Sequence, residues 1–95
     1  MKKNKYQISY SKKYKRDYKK IVKAGGYDLK KLNFVINELA AGKKLDAKFK
    51  DHQLKGALKN FRECHIEPDW LLVYEIHEDI LILHLHRTGN HSSLF

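Results

Sequence analysis

Apolar and polar residues alternate at the start of the chain and then change to helical spacing. Tyr6, Ile8 and Tyr10 form a period-two pattern, which predicts a short half-buried strand. Ser11 follows as a candidate N-cap, and the double glycine at 25–26 is a stop signal. The apolar positions between these two signals are Tyr14, Tyr18, Ile21 and Val22. Their spacing predicts a first helix whose other faces carry lysine and arginine.

A second helix is predicted directly after the glycines. Asp28 is a suitable N-cap, and the pattern ends near Gly42. The apolar stripe between them consists of Leu29, Leu32, Val35, Ile36 and Leu39. Two helices with so short a link should form an antiparallel pair.

The rest of the chain has the pattern of a loop followed by strands. Residues 43–57 have no clear periodicity, so we expect a surface loop. Residues 58–66, 70–76 and 80–87 are strand candidates, and their short connections require antiparallel neighbours. The prediction is an α+β fold: an N-terminal strand, an antiparallel helix pair, and a three-stranded antiparallel β-meander. The helices would cover one face of the sheet and leave the other available.

Length and composition predict one small folded unit. Ninety-five residues suffice for a single domain, which we expect to span 1–95. The chain is 42% hydrophobic and 33% charged with a single proline, as folded proteins are. It contains no apolar run near the roughly 20 residues that span a bilayer and no signal-peptide pattern. We therefore expect a cytoplasmic protein without a membrane partner, and the lone Cys64 suits a reducing compartment.

Positive charge is concentrated in the first third of the chain. Residues 1–31 contain 12 lysines and arginines and two acidic residues, a net charge of +10. The remaining residues contain 8 lysines and arginines and 9 acidic residues, a net charge of −1. Such a surface attracts RNA, DNA, acidic membranes or acidic proteins and does not choose among them. A solvated helix face is an equally good interpretation.

Candidate chemistry lies late in the chain. The polar residues that do not fit a plain core are His52, Glu63, His65, Asp69, Arg87 and His91. In a meander, the turn at 65–69 and the tail at 87–91 would meet at one end of the sheet. Imidazoles beside a carboxylate and an arginine suit metal-free cleavage of RNA, in which the 2′-hydroxyl is the nucleophile. Trp70 or Phe95 could stack on a base.

Each of these residues also has a structural interpretation. His52 could be a solvated loop residue, His65 and Asp69 could serve the turn, and Trp70 could be core. His84 and His86 have the spacing of metal ligands on a strand, with His77 nearby, but no further ligand completes a site. We expect no metal site there, and a buried, unreactive role for Cys64.

Three segments together carry a resemblance. They are KDHQLKG at 50–56, FRECHIEPDW at 61–70 and RTGNHSSLF at 87–95. In sequence and order they resemble the signature blocks of the YafQ branch of the RelE/ParE toxin superfamily, and the expected fold is RelE-like. The resemblance covers essentially the whole chain.

The resemblance implies an endoribonuclease toxin, an mRNA interferase, that cuts message in the ribosomal A site without a cofactor and is neutralised by a cognate antitoxin. The catalytic positions that match are His52, His65, Asp69 and His91. The supporting positions are Glu63, Trp70, Arg87 and Phe95. The blocks do not say which group is acid and which is base.

The residues themselves suggest roles within that scheme. His91, in the tail, is the candidate general acid, and Asp69 with His65 or His52 is the candidate base side. Arg87 would stabilise charge on the phosphate. The lysines expected to bind ribosomal RNA are Lys12, Lys13, Lys19 and Lys20. A non-catalytic module that binds RNA, DNA or an acidic partner through these helices is the alternative function.

Overall fold

The structure, a computed structural model, describes residues 4–95, so Lys2 and Lys3 of the basic segment lie outside it. Its elements in chain order are β1 (Gln7–Tyr10), α1 (Lys12–Ala24), α2 (Leu29–Ala40), β2 (His52–Gln53), β3 (Arg62–Glu67), β4 (Trp70–His77), β5 (Ile82–Gly89) and α3 (His91–Leu94). Short 3₁₀ turns occupy Ala47–Phe49 and Gly56–Leu58. No helix in this part of the chain is both long and apolar enough to cross a membrane.

Both long helices begin at the predicted caps. The Ser11 hydroxyl accepts a hydrogen bond from the Tyr14 N–H at 2.9 Å, and the Asp28 carboxylate accepts one from the Lys30 N–H at 3.0 Å. Each cap satisfies an N–H that the helix itself cannot pair. α1 ends at Gly25, whose φ of 74° is costly for other residues. The predicted helices are confirmed.

The sheet confirms the α+β class and corrects its detail. It has five strands in the order β1-β5-β4-β3-β2 rather than a separate three-stranded meander. β1 pairs in parallel with β5, and the other neighbouring strands are antiparallel. β2 lies inside residues 43–57, which were predicted as a loop. The sequence pattern did not reveal this strand, because two residues are too few to show a period. The candidate strand 58–66 was predicted to begin too early, since a 3₁₀ turn precedes Arg62.

The core lies between the two long helices and one face of the sheet. From the helices it contains Tyr14, Ile21, Leu32, Val35, Ile36 and Leu39, and from the sheet Cys64, Ile66, Leu72, Tyr74, Leu83 and Leu85. The sheet residues alternate along their strands and therefore share one face. Glu63 and His65 alternate with them, so they belong to the opposite face.

Asp17 ties α1 to β5 through a buried carboxylate. It is only 6% exposed, although it sits in a helix rich in lysine. The Arg87 guanidinium donates to it from Nε (2.7 Å) and Nη2 (3.0 Å), and the Thr88 N–H donates at 3.2 Å. The pairing raises the pKa of Arg87. A buried carboxylate is stable only with such partners.

The chain turns sharply after β5 to enter α3. Gly89 has a φ of 153°, and a Cβ built there would lie 2.8 Å from the Ser93 hydroxyl oxygen. A side chain at this position would therefore clash with α3 and strain the backbone. This turn places His91, the first residue of α3, beside the end of β3.

Replacing Asp17 with alanine should destabilise the protein by about 3 kcal/mol or more, because it leaves the Arg87 guanidinium without its partner in a partly buried setting. Urea unfolding followed by circular dichroism measures the change. Asp79→Ala, which removes an exposed carboxylate from the β4–β5 turn, is the matched control and should change stability by less than about 0.5 kcal/mol. Equal stability of the two variants would contradict the structural role of Asp17.

Candidate active site

Glu63 lies between two histidines from neighbouring strands. Its carboxylate is buried, and Oε1 is 3.4 Å from Nε2 of His65 and 3.9 Å from Nε2 of His52. His65 is two residues along β3 on the same face, and His52 is directly opposite Glu63 in the β2–β3 pair. Strand alternation and register thus bring one carboxylate and two imidazoles together.

Backbone carbonyls orient both imidazoles. Nδ1 of His65 lies 3.2 Å from the Pro68 carbonyl oxygen, and Nδ1 of His52 lies 2.8 Å from the Lys50 carbonyl oxygen. A carbonyl oxygen can only accept, so these hydrogen bonds assign a proton to Nδ1 in each ring. In the neutral rings, Nε2 is left with a free lone pair next to Glu63.

His91 forms a second group with Asp69. Its Nδ1 lies 3.1 Å from Oδ1 of Asp69, and its backbone N–H donates to the same oxygen at 3.3 Å. These hydrogen bonds lower the pKa of Asp69, so the carboxylate stays ionised at neutral pH. Asp69 was expected on the base side with His65 or His52. The structure instead pairs it with His91.

The two groups meet at one end of the sheet. The ring centroids of His65 and His91 are 5.8 Å apart, and those of His91 and Phe95 are 6.5 Å apart. The expected meeting of the 65–69 turn and the tail is confirmed. Phe95 is 60% exposed, so its ring is open to a base. His52, His65 and His91 thus lie around Glu63, and Asp69 joins this partly open cluster through His91.

Trp70 and Arg87 have other contacts than expected. Trp70 is buried, its Nε1 donates to the Thr88 hydroxyl at 3.0 Å, and its ring packs edge-on against Tyr27. It has no face free for a base, so the expected stacking role is wrong. Two nitrogens of Arg87, Nε and Nη2, donate hydrogen bonds to the Asp17 carboxylate. Only its remaining N–H groups are free for a phosphate.

Sequence reasoning missed two carboxylates that support the cluster. Asp51, next to His52, accepts hydrogen bonds from the Tyr74 hydroxyl and from Arg62 Nη2 at 3.1 Å, which fixes the start of β2. Burial is the main cause that raises the pKa of Tyr74, so the hydroxyl keeps its proton and donates. Asp17 fixes Arg87. Its position among Tyr14, Tyr18 and Ile21 on the apolar stripe of α1 was a signal for a buried pair.

Glu63, His65 and His91 could also hold a metal ion. One ligand atom from each lies within 4.8 Å of the other two. Two imidazoles and a carboxylate suit zinc or copper. His84 and His86, the histidines with metal-ligand spacing on β5, make other contacts. Nδ1 of His84 lies 2.6 Å from the Ser9 hydroxyl oxygen, and the His86 ring stacks on Phe61 with ring centroids 4.4 Å apart.

The lysines expected to contact RNA lie on the outer side of α1. Lys12, Lys13, Lys19 and Lys20 are all exposed. They are off the stripe that packs into the core, so their charges are available to an anionic partner.

Comparison with known proteins places this geometry in a family. A family model described as a bacterial toxin of type II toxin–antitoxin systems, YafQ, matches residues 6–95. The mRNA interferase toxin YafQ of Escherichia coli K12 is 37% identical over 89 residues, which are 93% of this chain and 94% of the relative.

Solved structures agree. A metal-bound toxin from Helicobacter pylori superposes with a TM-score of 0.88 at 51% identity, covering 95% of this chain and 99% of that one. The E. coli DinJ–YafQ toxin–antitoxin complex gives a TM-score of 0.86 at 37% identity, covering 96% and 98%. On the match of the family model and these identities over nearly its full length, the chain belongs to the YafQ family of type II toxin–antitoxin toxins.

Proposed function

We propose that this protein is an mRNA endoribonuclease toxin that cuts message in the ribosomal A site with its own side chains as acid and base. The observation that carries the proposal is the pair of oriented groups, Glu63 with His65 on one side and Asp69 with His91 on the other. The mRNA interferase activity named for the E. coli relative supports the substrate class.

The base side is His65 supported by Glu63. With its Nδ1 proton held by the Pro68 carbonyl, His65 can use the lone pair on Nε2 to take the proton of the 2′-hydroxyl. The positive charge that forms on the ring lies 3.4 Å from the Glu63 carboxylate, which stabilises it. His52 adds a second imidazole on the same carboxylate.

The acid side is His91 held by Asp69. The ionised Asp69 accepts the hydrogen bond from Nδ1 of His91 and so orients the ring, and the Nε2 proton of the imidazolium form is the one given to the leaving group. The 2′-oxygen bonds to phosphorus, the bond from phosphorus to the 5′-oxygen breaks, and that oxygen takes the proton from His91. The products are a 2′,3′-cyclic phosphate and a 5′-hydroxyl.

Other residues would hold the substrate in place. The free N–H groups of Arg87 stabilise charge on the phosphate, and the exposed Phe95 ring stacks on a base beside His91. The α1 lysines bind ribosomal RNA. A metal at Glu63, His65 and His91 would supply a Lewis acid, but it would take the histidine nitrogens that act here as base and acid.

The partner is expected to be a cognate antitoxin, as in the DinJ–YafQ complex of the E. coli relative. The net charge of +9 favours an acidic partner, and a segment that orders on binding can cover a large surface. The protein would act in the cytoplasm, where ribosomes and message are.

His91→Ala should slow the chemical step by about 10²–10⁴-fold, the usual contribution of a positioned general acid. His91 is exposed, so the fold should survive, and ribosome binding should persist because the α1 lysines are unchanged. Single-turnover cleavage of ribosome-bound message at saturating toxin measures the step.

His77→Ala is the matched control, since His77 ends β4 and pairs with Glu75 away from the cluster. It should cleave at the wild-type rate. Near-normal cleavage by folded His91→Ala would remove His91 from the mechanism. Ribosome binding without any cleavage by the wild type would favour the non-catalytic binding module.

Replacing Lys12, Lys13, Lys19 and Lys20 together with glutamine should weaken ribosome binding and flatten its dependence on salt, because each phosphate contact releases counterions. Catalysis at saturating toxin should change less. The matched control removes four exposed lysines elsewhere: Lys43, Lys44, Lys55 and Lys59. Equal affinity losses in the two variants across a salt series would show that the α1 lysines act only through the overall positive charge of the protein.

A further inference from the structure

A groove borders the candidate active site on the side of α2. It has a volume of about 600 Å³. Its walls come from α2, from the 3₁₀ turn at Ala47–Phe49 and from the end of β3, including His65 and Glu67. His65 lines the groove and also belongs to the catalytic cluster, so the groove lies directly beside the site.

Four lysines make the groove basic. Lys30, Lys31, Lys48 and Lys50 line it together with one acid, Glu67. Lys31 Nζ pairs with Glu67 at 3.0 Å. Among residues 4–95, no carboxylate lies within ion-pair distance of the other three lysines. The groove therefore has a net charge of +3 and favours an anionic occupant.

An aromatic ring stands open in the same groove. Phe34 is 54% exposed, although its neighbours on α2, Leu32 and Val35, are fully buried in the core. Its centroid lies 6.3 Å from that of Phe49. Packing of α2 does not need Phe34, and an exposed ring between lysines is the usual surface for stacking a nucleic-acid base.

Lys50 connects the groove to the base side of the cluster. Its φ of 49° is in the left-handed region, which is uncommon for a lysine. The Lys50 carbonyl oxygen accepts the hydrogen bond that orients His52, while the residue also lines the groove. This conformation closes the 3₁₀ turn, because the Lys50 N–H donates to the Ala47 carbonyl oxygen.

We propose that this groove binds the single-stranded RNA that flanks the cleaved bond. The Phe34 ring stacks on a base, and Lys30, Lys48 and Lys50 neutralise phosphates. This inference rests on the proposed function, since a strand whose phosphate lies between His65 and His91 continues into the adjoining space. RNA is favoured over an acidic helix because the groove adjoins His65 of the catalytic cluster, where the cleaved strand has to lie.

The test uses a hexaribonucleotide whose central residue is 2′-deoxy, so that the nucleophile is absent and binding is separated from cleavage. Amide and aromatic NMR signals of the isotope-labelled protein are followed during titration. We expect shifts at Phe34 and at 48–50 together with shifts at His65 and His91. Lys48→Gln should lower the salt dependence of the affinity by about one phosphate contact.

Phe34→Ala should weaken binding of this oligonucleotide about 5- to 150-fold, the usual effect of losing one stacked base. Phe34→Tyr keeps the ring and should bind like the wild type. Val22→Ala, which truncates a half-exposed apolar side chain on α1, is the matched control and should leave the affinity unchanged. Unshifted signals away from the substituted side chain verify that each variant is folded.

Two results would overturn the proposal. Shifts confined to the catalytic cluster, with wild-type affinity in Phe34→Ala, would show that RNA does not enter the groove. Shifts at the groove with an acidic antitoxin peptide, but none with RNA, would assign it to a protein partner. Cleavage of ribosome-bound message by the wild type is measured separately, so the proposed function can stand when this inference fails.

Discussion

The rest of the structure depends on the hydrogen bonds that the buried Asp17 carboxylate accepts. It accepts hydrogen bonds from Arg87 and from the Thr88 N–H, so it holds α1 against the end of β5. Thr88 in turn accepts from Trp70 and donates to the Leu71 carbonyl oxygen. The chain leaves this network at Gly89 and enters α3, where His91 lies. A charge buried in the basic helix thus helps to position the acid side of the active site.

The site itself depends on orientation more than on unusual chemistry. Carbonyl oxygens fix the Nδ1 protons of His52 and His65, and the Asp69 carboxylate fixes that of His91. In each ring Nε2 is the atom left for the substrate. Preorganised donors and acceptors of this kind do not have to rearrange during the reaction, which is why a small protein can support acid–base catalysis with few residues.

The parts of the fold and of the site that depend on local sequence patterns were predictable. The helices follow from the caps at Ser11 and Asp28, and the meeting of the 65–69 turn with the tail follows from strand order. Contacts set by tertiary packing were not predictable: the parallel pairing of β1 with β5, and the choice of Arg87 as the partner of Asp17. The pairing of Asp69 with His91 was likewise not predictable, because position in the sequence does not reveal which side chain a carboxylate faces.

The central claim is that side chains alone cut RNA by attack of its 2′-hydroxyl. The most direct measurement is the chemistry of the new ends after cleavage of ribosome-bound message in EDTA, with magnesium restored to keep ribosomes intact. A 2′,3′-cyclic phosphate on one fragment and a 5′-hydroxyl on the other are predicted, with no requirement for zinc or manganese. A 3′-hydroxyl and a 5′-phosphate, the products of attack by water, would contradict it, as would strict dependence on an added transition metal.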